Sequence, residues 1–277
     1  MERFPRTSQD HLRSIIADAE AGKTRNPFED ARTFLELEQV TVRSVFQEQP
    51  DPNKPLLITP NHYLRTCVQR RSVLWFSSVD SFIDSSIATL GSGKEQVVWV
   101  LKKLPDVDLE NVSIKRFPRK VNRIIEDFVR KYPKIIGIII NDARIARKAQ
   151  NVFEDVYGYL VLEDKLSRES ATKFIEGVDT VMKNNGTLYA FAEMNPSTTL
   201  SEPYPGYKML LKRMSDYDYQ VWPVSIHADG RSNYTANFGR IIEQEGRSPE
   251  VVITFVMAEL ARNLPPKLRG LYTNWID

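Results

Sequence analysis

The chain has a single cysteine, Cys67, so it cannot form an internal disulfide. Its longest apolar runs, residues 135–140 and 251–257, fall short of the roughly 20 residues that a membrane span needs. Its 38 basic and 36 acidic residues nearly cancel, which argues against a nucleic-acid partner. The polar start MERFPRTSQD lacks the apolar segment of a signal peptide. These absences predict a cytoplasmic globular protein that does not cross a membrane, with the inner membrane face as an alternative location.

Several common site motifs are absent as well. The three histidines, at positions 11, 62 and 227, have no cysteine, histidine or aspartate cluster at metal-ligand spacing, so no metal site is predicted. The string Gly91-Ser92-Gly93-Lys94 lacks the first glycine of a phosphate-binding loop, because Ala88 stands in that position. The chain has no Gly-x-Ser-x-Gly motif, which argues against an ordinary serine hydrolase.

Apolar strand patterns alternate with amphipathic helix patterns along the chain. The predicted helices are residues 8–22, 28–37, 78–90, 121–131, 142–156, 167–184 and 208–214. The predicted strands are residues 40–47, 56–58, 97–101, 135–140, 158–162, 188–192, 221–226 and 251–256. A turn cluster at 50–53 predicts that the first two strands form a hairpin. This alternation is typical of an α/β fold with a mostly parallel central sheet flanked by helices. Residues 1–38 are predicted to be an N-terminal helical extension, and residues 39–277 a single α/β domain.

Four segments in a fixed order each join a strand to small, polar or charged residues: 57–62, 158–164, 188–197 and 221–226. Ligand sites of open α/β sheets lie at such strand ends. The succession resembles the glycerolipid acyltransferase family, which includes the lysophosphatidic acid acyltransferases. In that family a strand leads into Asn-His, four further residues and an aspartate. A Gly-x-x-x-x-x-Arg block, a Phe-Pro-Glu-Gly-Thr-Arg block and a Val-Pro-Val strand follow.

The resemblance spans about residues 40–230 and includes both matches and departures. The matching residues are Asn61-His62, Gly158, Phe191, Glu193 and Pro223-Val224. The departing residues are Cys67 in place of the family aspartate, Asp164 in place of the second-block arginine, and Met194-Asn195-Pro196 in place of Gly-Thr-Arg. The family pattern therefore keeps its histidine here and loses the acidic partner and the arginines.

The resemblance implies that residues 39–277 form an acyltransferase-like domain with His62 as general base. Such an enzyme moves an acyl group from acyl-CoA or an acyl carrier protein to a hydroxyl or amine, and binds no cofactor. A neutral imidazole suits proton transfer near pH 7, and an acidic partner would fix its tautomer. The residues expected to contact substrate are Asn61, Glu193, Asn195 and Ser197. A catalytically inactive binding protein and a thioesterase acting on the same donors are the alternatives.

Cys67 leaves three interpretations open. It could be a small buried residue near the site, a nucleophile activated by His62, or the mark of a degenerate site. The missing carboxylate could come instead from Asp80 or Asp84 on the predicted helix that follows.

In the resembled family, arginines of the second and third blocks bind the phosphate of the acceptor through two hydrogen bonds each. Because both are absent here, we expect an acceptor other than glycerol 3-phosphate or a simple phosphorylated lysolipid. Two basic groups bear on this expectation. Arg144, Arg147 and Lys148 could restore a phosphate site, although a solvated helix face explains them as well. A second group could dock an acyl carrier protein or an anionic membrane surface. It consists of Lys115, Arg116, Arg119, Lys120 and Arg123.

Overall fold

Four of the described helices begin at a small polar side chain that caps them, as a computed structural model shows. It describes residues 7–63, 77–94, 96–102, 144–162, 167–193, 197–230 and 232–275, with the backbone alone at 77–81 and 102. The hydroxyl of Thr7 accepts the N–H of Asp10, and that of Ser167 accepts the N–H of Ser170. The helices are α1 (Ser8–Glu20), α2 (Pro27–Leu37), α3 (Ser77–Ser92), α4 (Phe153–Tyr157), α5 (Arg168–Lys183), α6 (Pro205–Met214) and α7 (Pro249–Arg262). Residues 144–151 are also helical, and Pro266–Leu268 and Gly270–Trp275 form 3₁₀ turns.

The described strands form one sheet of eight. They are β1 (Thr41–Phe46), β2 (Leu56–Pro60), β3 (Val98–Lys102), β4 (Leu160–Leu162), β5 (Thr187–Tyr189), β6 (Gln220–Ala228), β7 (Asn233–Phe238) and β8 (Ile242–Glu243). Their order is β1-β7-β6-β2-β5-β3-β4, with β8 paired to β6. Five of the strand pairs are parallel, and β6 pairs antiparallel with β7 and β8. The predicted α/β fold with a mostly parallel sheet flanked by helices is confirmed.

The centre of the sheet positions the site. Every residue of β2 and β6 is buried, as expected for strands covered on both faces. β2 lies between β5 and β6, so the residues that follow β2 and β5 meet at one edge of the sheet. α3 packs on β2, and α2 packs on α3. Within the described residues, no helix is both long and apolar enough to cross a membrane.

The predicted hairpin between residues 40–47 and 56–58 is wrong. β1 pairs in parallel with β7, whereas β2 pairs with β5 and β6. The turn cluster ends the first strand as expected, but the chain then crosses the sheet because β2 is buried at its centre and β1 is largely exposed. A strand with one polar face suits the edge, and an all-apolar strand suits the middle.

The strand predicted at 251–256 is also wrong, because these residues lie inside α7. The β-branched run suggested a strand, yet the local signals for a helix are stronger. Ser248 caps the helix through the N–H of Val251, and Pro249 occupies the first turn. Val252, Val256 and Leu260 recur at helical spacing and are fully buried.

Most other predicted elements are present with shifted ends. Strand 188–192 stops at Tyr189, so Phe191 and Glu193 lie in the irregular segment after it. Strand β7, which the sequence analysis missed, occupies Asn233–Phe238. The helix predicted at 121–131 and the strand at 135–140 fall outside the described residues, as does the basic group from Lys115 to Arg123. The division into residues 1–38 and 39–277 remains a prediction.

Candidate active site

His62 follows the end of β2, where the side chain of Asn61 continues the sheet. The amide oxygen of Asn61 accepts the N–H of Ile226 at 2.5 Å, and its amide nitrogen donates to the carbonyl of Ile226 at 3.1 Å. The backbone N–H of Asn61 donates to the carbonyl of Val224. Asn61 thus uses its side chain to fix the start of the loop, and its predicted contact with substrate remains a prediction.

The acidic partner of His62 comes from α3. Oδ2 of Asp84 lies 3.3 Å from Nδ1 of His62 and accepts the N–H of Tyr63 at 2.8 Å. Asp84 is only 1% exposed. A carboxylate facing Nδ1 favours the tautomer with the hydrogen on that nitrogen, which leaves Nε2 as the basic atom.

The charge of His62 is set by burial and by this carboxylate. Burial lowers the pKa of the imidazole from 6.5 to about 3, because a charged ring loses its hydration. A carboxylate 3.3 Å away acts in the opposite direction by stabilising the protonated ring. We therefore infer that the ring is neutral at pH 7 and that, when it accepts a proton, Asp84 stabilises the imidazolium.

The face of the imidazole lies against an aromatic ring. The ring centroids of His62 and Phe191 are 4.2 Å apart, and the ring planes are inclined by 17°. Phe191 in turn contacts Trp99 of β3, with a centroid distance of 5.2 Å. The irregular segment after β5 therefore covers one side of the histidine.

Glu193 ties together two loops at the site. One carboxylate oxygen accepts the backbone N–H of His62 at 2.8 Å, and the other accepts the N–H and hydroxyl of Ser201 at 2.5 and 2.9 Å. Burial raises the pKa of Glu193 to about 7, although these hydrogen bonds oppose the shift. The structure shows Glu193 bracing the backbone beside His62, and its predicted contact with substrate remains a prediction.

Ser197 lies beside His62 through its backbone. Its N–H donates to the carbonyl of His62 at 2.9 Å, and it forms a parallel bridge with Tyr63. Further along this loop, the N–H of Leu200 donates to the carbonyl of Leu268 in the C-terminal 3₁₀ turn. Four residues that the sequence predicted for the site thus lie close together in the structure: Asn61, His62, Glu193 and Ser197.

Other predicted residues are not part of this arrangement or lie beyond the described parts of the chain. Cys67 and Asn195 fall outside the described residues, and so does the side chain of Asp80. Lys148 pairs with Glu20 of α1 at 2.6 Å, and both side chains are exposed, as expected for a solvated helix face. Among the described residues, no group of three His, Cys, Asp or Glu could hold a metal ion.

A cavity of about 60 Å³ lies between the N-terminal helices and the sheet. Its walls include Leu12, Phe34, Phe82 and Trp99, and His11 adds a polar group. His62 is not among the described residues that line it. In the described part of the chain, His62 therefore does not open into this cavity. The two are linked by contacts only, because Trp99 lines the cavity and touches Phe191, which stacks on His62.

Sequence reasoning could name Asp84 but could not select it. Asp80 and Asp84 are one helical turn apart, so the periodicity of α3 places both on the same face. The choice depends on how α3 packs against β2, which is a tertiary contact. The stacking of Phe191 on His62 was missed for the same reason.

Comparison with known proteins adds a distant structural likeness. No protein-family model matches the chain. No curated protein sequence matches it either. Among solved structures it is similar to the 1-acyl-sn-glycerophosphate (LPA) acyltransferase PlsC from Thermotoga maritima, with a TM-score of 0.40 and 12% identity over 90% of this chain and 78% of that chain. So distant a match identifies no activity, and the chemistry must be inferred from the contacts of the site itself.

Proposed function

We propose that this protein is an acyltransferase that moves an acyl group from a thioester donor to a hydroxyl or amine acceptor. The observation that carries the proposal is the contact between His62 and the buried carboxylate of Asp84. A histidine oriented by an aspartate through one nitrogen can act as a base through the other. Acyl-CoA and an acyl carrier protein are the donor classes.

Nε2 of His62 takes the proton of the acceptor hydroxyl or amine as the acceptor atom bonds to the thioester carbonyl carbon. The carbon–sulfur bond then breaks. The leaving thiolate takes the proton from the imidazolium, which restores neutral His62. Asp84 stabilises the positive ring while it exists, and this help is needed because burial otherwise disfavours the charge.

In this scheme Glu193 and Ser197 position the backbone of His62. Glu193 holds the N–H of His62, and Ser197 holds its carbonyl, so the peptide on each side of the imidazole is fixed. Fixed placement of a base contributes to rate because the ordering entropy is lost on folding rather than during the reaction. Asn195 and the backbone around it remain the proposed contacts for the acceptor.

The role of Cys67 in the proposal is secondary. With Asp84 beside His62, the general-base reaction needs no thiol. A nucleophilic Cys67 would instead give an S-acyl protein, which intact-protein mass spectrometry after incubation with donor would detect. The basic group Lys115, Arg116, Arg119, Lys120 and Arg123 is retained as the proposed docking surface for a carrier protein or an anionic membrane.

The deciding experiment uses purified protein, a set of acyl-CoA donors and a set of neutral alcohol and amine acceptors. Thioester loss and ester or amide formation are both followed by mass spectrometry. His62→Ala should abolish both, whereas His227→Ala should leave both intact. His227 is a matched control, because it is as buried as His62 and lies 3.2 Å from Asp229.

The outcomes separate the alternatives. If folded His62→Ala consumes thioester as fast as the wild type, the general-base proposal is wrong. If free acid forms without acceptor and depends on His62, the protein is a thioesterase. If the wild type binds donor without consuming it, the protein is an inactive binding protein.

A further inference from the structure

The Phe191 ring is itself held in place. Trp99, which is 2% exposed, contacts it with a centroid distance of 5.2 Å and an interplanar angle of 33°. The indole N–H of Trp99 donates to the hydroxyl of Thr89 at 3.1 Å. Thr89 belongs to α3, the same helix that carries Asp84. The Phe191 ring is therefore in contact with a buried, hydrogen-bonded tryptophan as well as with His62.

Asp84 and Phe191 constrain different motions of the imidazole. Asp84 meets the ring at its edge, so it restricts the direction of Nδ1. A hydrogen bond by itself does not prevent a ring from tilting about the line joining donor and acceptor. A near-parallel ring at 4.2 Å opposes this tilt. Both contacts therefore contribute to the direction of Nε2.

The stacked Phe191 ring also affects the stability of the positive charge on a protonated His62. The face of a benzene ring carries negative potential and attracts cations within about 6 Å. His62 becomes a cation when it accepts a proton, and its centroid is 4.2 Å from that of Phe191. The contact is thus more favourable for the imidazolium than for the neutral ring. It strengthens as the reaction proceeds, which is the condition for an effect on rate.

We propose that Phe191 is a positioning residue that holds the plane of the His62 imidazole and stabilises its protonated form. This inference rests on the proposed function for its effect on turnover, but its effect on the histidine can be measured without turnover. A ring that only filled space could be replaced by leucine without any change at His62.

The test compares Phe191→Leu, Phe191→Tyr and the wild type, with Phe153→Leu as control. Phe153 is a buried aromatic residue that contacts Phe82, Tyr157 and Tyr159. The first readout is the mobility of the His62 ring at pH 7.5, from carbon-13 relaxation of the Cε1–H groups of the three imidazoles. The second readout is kcat and KM for acyl transfer, and thermal unfolding confirms that each variant is folded.

We expect the His62 ring to be rigid in the wild type, in Phe191→Tyr and in Phe153→Leu. In Phe191→Leu the ring should become mobile, and kcat should fall about tenfold to a hundredfold with little change in KM, because a base slightly out of place loses about that much. Phe191→Tyr should restore kcat, since the stacked face is kept.

Two outcomes would overturn the inference. An unchanged mobility of the His62 ring in Phe191→Leu does so whatever happens to kcat, because any loss of rate then arises elsewhere. An equal gain of mobility in Phe153→Leu does so as well, because the effect would then belong to the core in general. If the wild type consumes no thioester, the proposed function fails, and the mobility of the His62 ring in Phe191→Leu alone decides the role of Phe191.

Discussion

Asp84 and His62 meet across 22 residues of sequence, at a distance of 3.3 Å between Oδ2 and Nδ1. The carboxylate comes from a helix packed against β2 rather than from the loop that carries the histidine. The same oxygen accepts the N–H of Tyr63, so the helix also fixes the backbone next to the imidazole. The position of α3 is therefore part of the site.

Replacing Asp84 by Asn should separate orientation from charge. The amide keeps the size of the side chain but cannot stabilise the imidazolium, and it can select the wrong tautomer. We expect kcat to fall by a factor of about 10² to 10⁴, the upper value being that of the comparable change in serine proteases. Initial rates with saturating donor provide the measurement. Asp229→Asn, which alters the partner of His227, should leave the rate unchanged.

Replacing Glu193 by Gln should change how stability depends on pH. The pKa of Glu193 is about 7 in the folded chain and 4.5 in the unfolded reference, so folding favours the protonated acid. Its stabilising contribution is therefore full below about pH 4.5 and is lost as the pH rises through about 7. The free energy of unfolding of Glu193→Gln, minus that of the wild type, should rise by at most about 3 kcal/mol over this range.

Urea unfolding at intervals from pH 5 to pH 8, within the expected transition, measures this difference. Subtraction removes the contributions of the buried histidines, which are common to both proteins. A difference that stays constant with pH would show that Glu193 is ionised throughout.

Asn61→Ala should destabilise the protein. It removes both side-chain bonds to Ile226 and leaves a buried N–H and carbonyl without these partners. Two such losses cost roughly 2–4 kcal/mol in the free energy of unfolding. Urea unfolding provides the measurement, and Asn53→Ala, in an exposed turn, is the control. Equal stability of the two variants would contradict the role of Asn61 as an extension of the sheet.

Arg25→Ala tests how the N-terminal helices are attached. Arg25 bonds Asp18 of α1 and Asp30 of α2, and Asp30 also accepts the hydroxyl of Tyr157. Removing the guanidinium leaves a mostly buried carboxylate without its cation, at a cost of about 3 kcal/mol. Arg32→Ala, which breaks an exposed pair with Glu29, should cost less than about 0.5 kcal/mol.

Limited proteolysis of Arg25→Ala extends this test to the predicted boundary near residue 38. Cleavage before β1 with a protected remainder would support a separable N-terminal extension. Simultaneous loss of the whole fold would instead make residues 1–38 part of the domain.

The acceptor of the proposed reaction should carry no phosphate group. Asp164 and the Met194-Asn195-Pro196 segment replace the arginines that the resembled family uses. Glycerol 3-phosphate and lysophosphatidic acid should therefore be poor acceptors compared with neutral alcohols of similar size. Product formation from matched pairs of phosphorylated and neutral acceptors measures this preference. Efficient acylation of lysophosphatidic acid would contradict it.

The sequence predicted the strands of the site better than its side-chain contacts. Apolar periodicity found β2 and β6, because a buried strand has a local signature. The same rule failed at 251–256, where Ser248 and Pro249 start a helix that the β-branched run conceals. His62 was identified from its place after β2 and from the ordered series of four strand-end segments. Its partners, Asp84 and Phe191, come from distant segments, and only packing brings them to the ring.

Helix α3 supplies Asp84 at the edge of the imidazole and, through Thr89 and Trp99, supports the ring on its face. Its outer side packs on α2, where the ring centroids of Phe34 and Phe82 are 5.6 Å apart. A small shift of α3 would move both supports of the histidine together. For the proposed acyl transfer, substitutions in the N-terminal helices should consequently change the rate without contacting the reacting groups.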